Sequence, residues 1–238
     1  MPSSQSRPAS YNRAMPATVA ADEARSWRPQ AFGRRAASKI DDPIVEPLWI
    51  GDRAILHAER DRVELLDEEG EPFVPDLVAD VIAALAEAIR ADSLVLDGYL
   101  TVQATRAQES AFLGVEAPTS GEFATQFLIG QRRRPEVADE QLPITPDAPL
   151  AFVAVDILAV DDESLLDTPL LERKRILESV LEQSELVRVG AYVRPPIDSW
   201  LATWRALGFG SLAFKASNSR YRPGRTNDAW STAQIPAR

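Results

Sequence analysis

Arg53-Ala-Ile-Leu-His-Ala58 and Arg62-Val-Glu-Leu-Leu66, closed by Asp67-Glu-Glu-Gly70, form the stretch on which the fold turns. Each run is short, aliphatic and bounded by charged or turn-forming residues, which predicts two strands of an antiparallel meander. Downstream, Leu77, Val78, Val81, Ile82, Leu85 and Ile89 recur at helical spacing and predict a helix with one broad apolar stripe. Ser93-Leu-Val-Leu-Asp-Gly98 reads as a buried strand ending in a turn. Glu122 to Arg134 reads as a short helix with Phe123, Phe127 and Leu128 inward, and prolines 135, 143, 146 and 149 mark a linker.

Ala151-Phe-Val-Ala-Val-Asp-Ile-Leu158 is almost continuously apolar, the mark of a strand covered on both faces. Thr168-Pro169 predicts a helix start, with threonine as cap and proline at the first helical position. A further helix is expected near Asp198 with Trp200, Leu201, Trp204 and Leu207 on one side, then a last strand, Ser211-Leu-Ala-Phe-Lys215. Strands of antiparallel type interleaved with a few helices make the fold class α+β. Residues 1–38, rich in Ser, Pro, Ala and Arg, read as a disordered basic tail, and 40–235 as one globular domain.

The 238 residues carry a net charge of −10, unevenly spread. Residues 1–39 hold seven Lys/Arg and two Asp/Glu (+5), residues 215–238 five and one (+4), so the middle holds −10 − 9 = −19. Basic ends on an acidic body allow phosphate docking at one edge, because local potential governs docking more than net charge does. Without cysteine, disulfides, thiol catalysis and cysteine-ligated metals are excluded, and His57 as the single histidine rules out a histidine cluster. No apolar run reaches membrane-spanning length and no secretory signal opens the chain, so a cytoplasmic protein away from membranes is expected.

Four stretches carry a resemblance. Glu46-Pro-Leu-Trp-Ile-Gly-Asp-Arg-Ala54 is similar to Glu-Pro-Lys-Trp-Asp-Gly-Tyr-Arg-Ala, the first motif of the ATP-dependent DNA ligases. Leu94-Val-Leu-Asp-Gly-Tyr-Leu100 resembles their third, Val-Leu-Asp-Gly-Glu-Leu. Phe152 to Leu158, with Leu165-Leu-Asp-Thr-Pro-Leu-Leu-Glu-Arg-Lys174, resembles the Phe-Asp-Leu-Leu segment. Leu212-Ala-Phe-Lys-Ala-Ser-Asn-Ser-Arg-Tyr-Arg-Pro-Gly-Arg225 resembles Val-Ala-Lys…Tyr-Arg-Pro-Gly-Arg. The resemblance implies an adenylation (nucleotidyltransferase) domain, ATP-grasp-like and shared with mRNA-capping enzymes, of antiparallel sheets flanked by helices, here expected without a C-terminal OB barrel.

In that family a lysine amine attacks the α-phosphate of ATP, carboxylates hold Mg²⁺, and further lysines stabilise the phosphate. The nucleophile position here is Leu48, with Ile50 in place of Asp, Tyr99 in place of Glu and Gly210 at a further acidic position. The expectation is therefore no catalytic residue and no metal site: a degenerate domain, an inactive pseudo-ligase. Of the three lysines, Lys39 lies outside the globular text, Lys174 reads as part of a solvated helix face, and Lys215 matches a phosphate-contacting lysine. By resemblance, Glu46, Arg53, Phe152 and Lys215 are the nucleotide-binding candidates, for weak non-covalent ATP or AMP, although Val155 holds the more usual aromatic position. The competing expectation is that Glu46 and Arg53 pair with each other or with solvent, and that Lys215 only closes a strand end. Arg220, Arg222 and Arg225 are the DNA-binding candidates, for nicked or duplex DNA. His57 reads as an ordinary strand residue and Trp200 and Trp204 as core. Three functions compete: a DNA-repair-related binding or scaffold module, with a repair protein as a further partner, is preferred over a ligase with an atypical active site and over a pure protein-interaction module.

Overall fold

The computed structural model describes residues 21–60, 62–104 and 149–236. Residues 21–40 hold a helix α1 (Ala21–Arg25), a strand β1 (Ala31–Phe32) and a 3₁₀ turn (Ala37–Lys39). Next come β2 (Pro43–Pro47), β3 (Asp52–Glu59), β4 (Arg62–Leu66), α2 (Pro75–Ala88) and β5 (Ser93–Thr101). The chain resumes with β6 (Ala151–Val160), β7 (Glu163–Ser164), α3 (Leu170–Val180), β8 (Val187–Val189) and α4 (Asp198–Ala206). It ends with β9 (Ser211–Ala216), β10 (Thr226–Asn227) and β11 (Trp230–Gln234). Six strands form one sheet in the order β4-β3-β5-β6-β7 with β8 parallel to β6, three form a second in the order β11-β9-β2, and β1 pairs with β10. None of these closes into a barrel among the described residues. The expected helix over 122–134 lies outside the described residues. No described helix is long and apolar enough to cross a membrane.

The sheets stack because each strand alternates its faces. One face of the large sheet, with Leu56, Leu96 and Phe152, packs on Val78, Val81 and Leu85 of α2 and Leu177 of α3. Its other face, with Ile55, Val95 and Leu158, meets Ile44 and Trp230 of the second sheet. The second sheet's outer face, with Val45 and Leu212, lies under Trp204 of α4 and Leu207 just after it. Helices, sheet, sheet and helix thus succeed one another, and the cleft between the sheets is where polar residues gather. Each such aliphatic side chain contributes about 1.5–3 kcal/mol by leaving water.

The meander, the α2 helix, the covered strand β6 and α4 are where the sequence predicts them. Four expectations need correction. Gly98 ends no strand, since β5 runs on to Thr101. Leu77 is 69% exposed, because the stripe of α2 runs through Val78, Val81, Leu85 and Ala88, one step further round. Helix α3 begins at Leu170, not Pro169, and no side chain caps it. Its first amides donate instead to the Ser219 and Ser217 carbonyls at 3.0 and 2.9 Å, so backbone from the 217–219 turn does a cap's work. The expected tail is built into the fold from residue 21 on. Trp27 is buried beside Tyr221 and Trp230, and the Gln30 amide N–H donates to the Tyr221 hydroxyl at 2.8 Å.

Candidate functional site

Along β2, Ile44 and Glu46 point into the cleft while Val45 points to α4, as a strand's period of two requires. This aims the Glu46 carboxylate between two lysines. Its Oε1 lies 2.6 Å from Lys174 Nζ, and its Oε2 accepts a hydrogen bond from Lys215 Nζ at 2.7 Å. All three side chains are buried. The Lys174 contact is an ion pair whose angles fall short of a directional hydrogen bond; the Lys215 contact meets them. Lys215 Nζ also sits 4.4 Å from the Trp230 ring centroid, and Lys174 Nζ 5.7 Å from that of Tyr192. Burial alone would raise the Glu46 carboxyl, but the two ammonium groups outweigh it and hold its pKa below the usual carboxylate value. Burial pushes the Lys174 ammonium down, and Glu46 offsets this only in part because Lys215 adds like charge.

A second ionic knot lies on the facing sheet. Arg53 grips Asp97 with two hydrogen bonds of 2.5 Å and donates to the Tyr99 hydroxyl at 2.5 Å. Tyr221 donates to Asp97 at 2.7 Å. Despite burial, Asp97 holds Arg53 well above the ordinary arginine value, and burial beside Asp97 raises Tyr221. A third pair, Arg173 and Asp156, joins α3 to β6 through two bonds of 2.8 Å. Among the described residues, four buried cations (Arg53, Arg173, Lys174, Lys215) meet three buried carboxylates (Glu46, Asp97, Asp156).

The expected solvated position of Lys174 is thus corrected: on α3 it is Glu172 and Arg175 that face out, and Arg173 and Lys174 that face in. Glu46 and Arg53 do not pair with each other but with different partners on the two sheets. Glu46 and Lys215 are brought together. Phe152 is not with them, since it faces α2 and α3 while its neighbour Val153 lies beside Trp49. Phe152 instead leaves no room for a side chain at residue 98, where a Cβ would lie 2.4 Å from its ring and 2.6 Å from the Val153 carbonyl oxygen. Leu48 is half-buried and lines an open cavity of about 600 Å³ that also touches Arg53 and Tyr99. Arg220, Arg222 and Arg225 are exposed, and none forms an ion pair among the described residues. His57 lies in β3, and Trp204 is core with Trp200 stacked on it at 5.9 Å.

Sequence reading missed Lys174, Asp97, Asp156 and Tyr221. A charge inside an apolar run, as in Leu94-Val-Leu-Asp97 or Val153-Ala-Val-Asp156, was a usable signal, because a buried carboxylate requires a partner. Among the described residues the donor set at the cleft does not suit a magnesium nucleotide. No three His, Asp or Glu side chains converge to hold a metal among the described residues, and both cleft lysines are spent on Glu46.

A family model described as ATP dependent DNA ligase domain matches residues 34–232. The chain is 24% identical over 184 residues to a DNA ligase of Thermococcus fumicolans, covering 76% of this chain and 30% of that protein. To DNA ligase C2 of Mycolicibacterium smegmatis it is 26% identical over 186 residues, covering 76% and 46%. The chain therefore spans less than half the length of these two curated relatives. Among solved structures, the ligase domain of M. tuberculosis LigD aligns with TM-score 0.57 at 21% identity, over 88% of this chain and 60% of that one. A mycobacterial DNA ligase D complexed with ATP and MES aligns with TM-score 0.55 at 21% identity, over 87% and 59%. These two structures share the α+β fold of stacked antiparallel sheets.

Proposed function

We propose that this chain, which belongs to the family of ATP-dependent DNA ligase domains, is a non-catalytic member that acts by binding, as a scaffold or accessory in a DNA-repair setting. The observation that carries the reading is the fate of the amines. Position 48 is leucine, whose side chain cannot form a phosphoramidate, and Lys174 and Lys215 are both locked on Glu46. Lys39, the remaining lysine, is exposed on the 3₁₀ turn. On this reading ATP or AMP is held only weakly and without a covalent bond, because an incoming adenine must compete with two ammonium groups for Glu46. Duplex or nicked DNA is the partner favoured by exposed Arg220, Arg222 and Arg225, whose contacts to phosphate would be sequence-independent and salt-sensitive.

Intact mass after incubation with ATP and Mg²⁺ tests the reading, with no adduct expected. A mass gain of one AMP, or a sealed nick produced by the purified chain, overturns it.

A further inference from the structure

The cavity beside Leu48 is acidic and aromatic, which suits a ligand of opposite charge to a phosphate. Asp52, Asp67, Glu68 and Glu69 line it, and none of them forms an ion pair among the described residues. Phe32, Trp49, Phe73 and Tyr99 supply its rings. Among the described residues of its wall the one cation, Arg53, is already neutralised by Asp97. Arg28 stands close by, but its guanidinium donates to the carbonyls of Arg25, Trp27 and Glu69, so it balances at most one of the four carboxylates.

A second observation is independent of charge. Gln30, 2% exposed, is part of the cavity wall. Its Oε1 accepts from the Arg222 amide at 2.6 Å and from Asn227 Nδ2 at 3.2 Å, which fixes the orientation of the side-chain amide. That leaves Nε2, a buried donor with no acceptor among the described residues. Buried donors are rarely left so, and an acceptor brought by a ligand would meet this one once the wall gives way. At about 600 Å³ the space is within the usual range of ligand pockets, roughly 300–1,000 Å³.

We propose that this cavity receives an extended basic segment of a partner protein, its arginine or lysine side chain set against the rings and carboxylates and a backbone carbonyl accepting from Gln30 Nε2. A peptide supplies the cation, the apolar stem and the acceptor together, whereas a polyamine has no carbonyl and a nucleotide brings the wrong charge. The assignment names a partner class for the binding role above, yet it does not require loss of catalysis. Its failure is therefore separable from the mass measurement.

The probe is an eight-residue peptide amide of alternating alanine and arginine, titrated into the full chain at low salt with tryptophan fluorescence as readout, beside spermine and AMP. Saturable binding is expected, weakening as salt rises. It should fall at least tenfold in the triple variant Asp52→Asn, Glu68→Gln, Glu69→Gln. Those three side chains are exposed, and Asp67 is left alone because its Oδ1 accepts three turn amides. Thermal melts of the variant check that it folds, and Trp49→Phe should abolish the optical signal. The proposal is overturned if the peptide does not bind, if the triple variant binds it unchanged, if spermine binds as tightly, or if AMP competes for the cavity.

Discussion

Replacing Glu46 with glutamine leaves two dehydrated ammonium groups in the cleft with no carboxylate between them. At 2.6 and 2.7 Å each lysine gains about 6 kcal/mol of Coulomb attraction to Glu46 if the effective dielectric constant is about 20. Dehydrating three ions costs several kcal/mol apiece, so in the intact cluster the gross terms nearly cancel. In Glu46→Gln the attraction is gone and the cost of the two cations stays. Removing one partner of a buried pair costs about 3–5 kcal/mol, and with two counter-ions stranded we expect the upper end. For a chain of this size that is a melting temperature lower by about 10–20 °C. Urea unfolding at pH 7 measures the loss. The loss should ease toward alkaline pH. Burial already sets the Lys174 pKa below its unfolded value, so the unfolded chain binds more protons between the two values and stability rises with pH there. The triple replacement Glu46→Leu, Lys174→Met, Lys215→Met should remain within about 1–2 kcal/mol of the parent or exceed it, because no charge is left unpaired. A Glu46→Gln protein as stable as the parent, or a triple variant as damaged as the single one, would refute the reasoning.

Burial, with Arg25 and Arg28 nearby, pushes the His57 imidazole down to about 4, against 6.5 in the unfolded chain. Protons then bind the unfolded chain preferentially, so about 3 kcal/mol of stability should be lost as pH falls from 6.5 toward 4. In His57→Gln, denaturant titrations across that window should show a flatter profile; an identical slope would clear His57 of the effect. Gly98→Ala must displace the Phe152 ring and the Val153 backbone, and should cost about 1–3 kcal/mol or more by overpacking, read as a lower urea midpoint. Arg222→Ala with Arg225→Ala should weaken retardation of nicked duplex and reduce the slope of affinity against salt by up to about two phosphate contacts. Unchanged retardation would move the contact elsewhere.

The elements with a strong period were legible: the β3–β4 meander, α2, β6 and α4. So was Leu48, since the identity of a side chain in a motif needs no fold to be read. The ionic interior was not. On α3 the run Glu172-Arg-Lys-Arg175 looks solvated because its counter-ions, Asp156 and Glu46, belong to other strands, and helical periodicity reports only which residues share a side. Phe152 was misassigned for a related reason: the alternation of β6 separates it from Val153, but an unbroken apolar run does not say which parity meets the cleft. Residues 21–38 read as tail because their anchors, Tyr221 and Arg222, are 191 and 192 residues away.

The second sheet joins an early strand to two late ones, with Ile44 opposite Lys215 and Val45 opposite Phe214. During synthesis at roughly 5–20 residues per second, β2 waits on the order of 10–30 s at the ribosome before β9 emerges. Until Lys174 and then Lys215 emerge, Glu46 has no counter-ion, and Ile44 and Val45 have no β9 to join. The nascent polypeptide is therefore expected to offer chaperones a sticky early segment, and its last step of assembly to be the late strand sliding in and neutralising the early carboxylate.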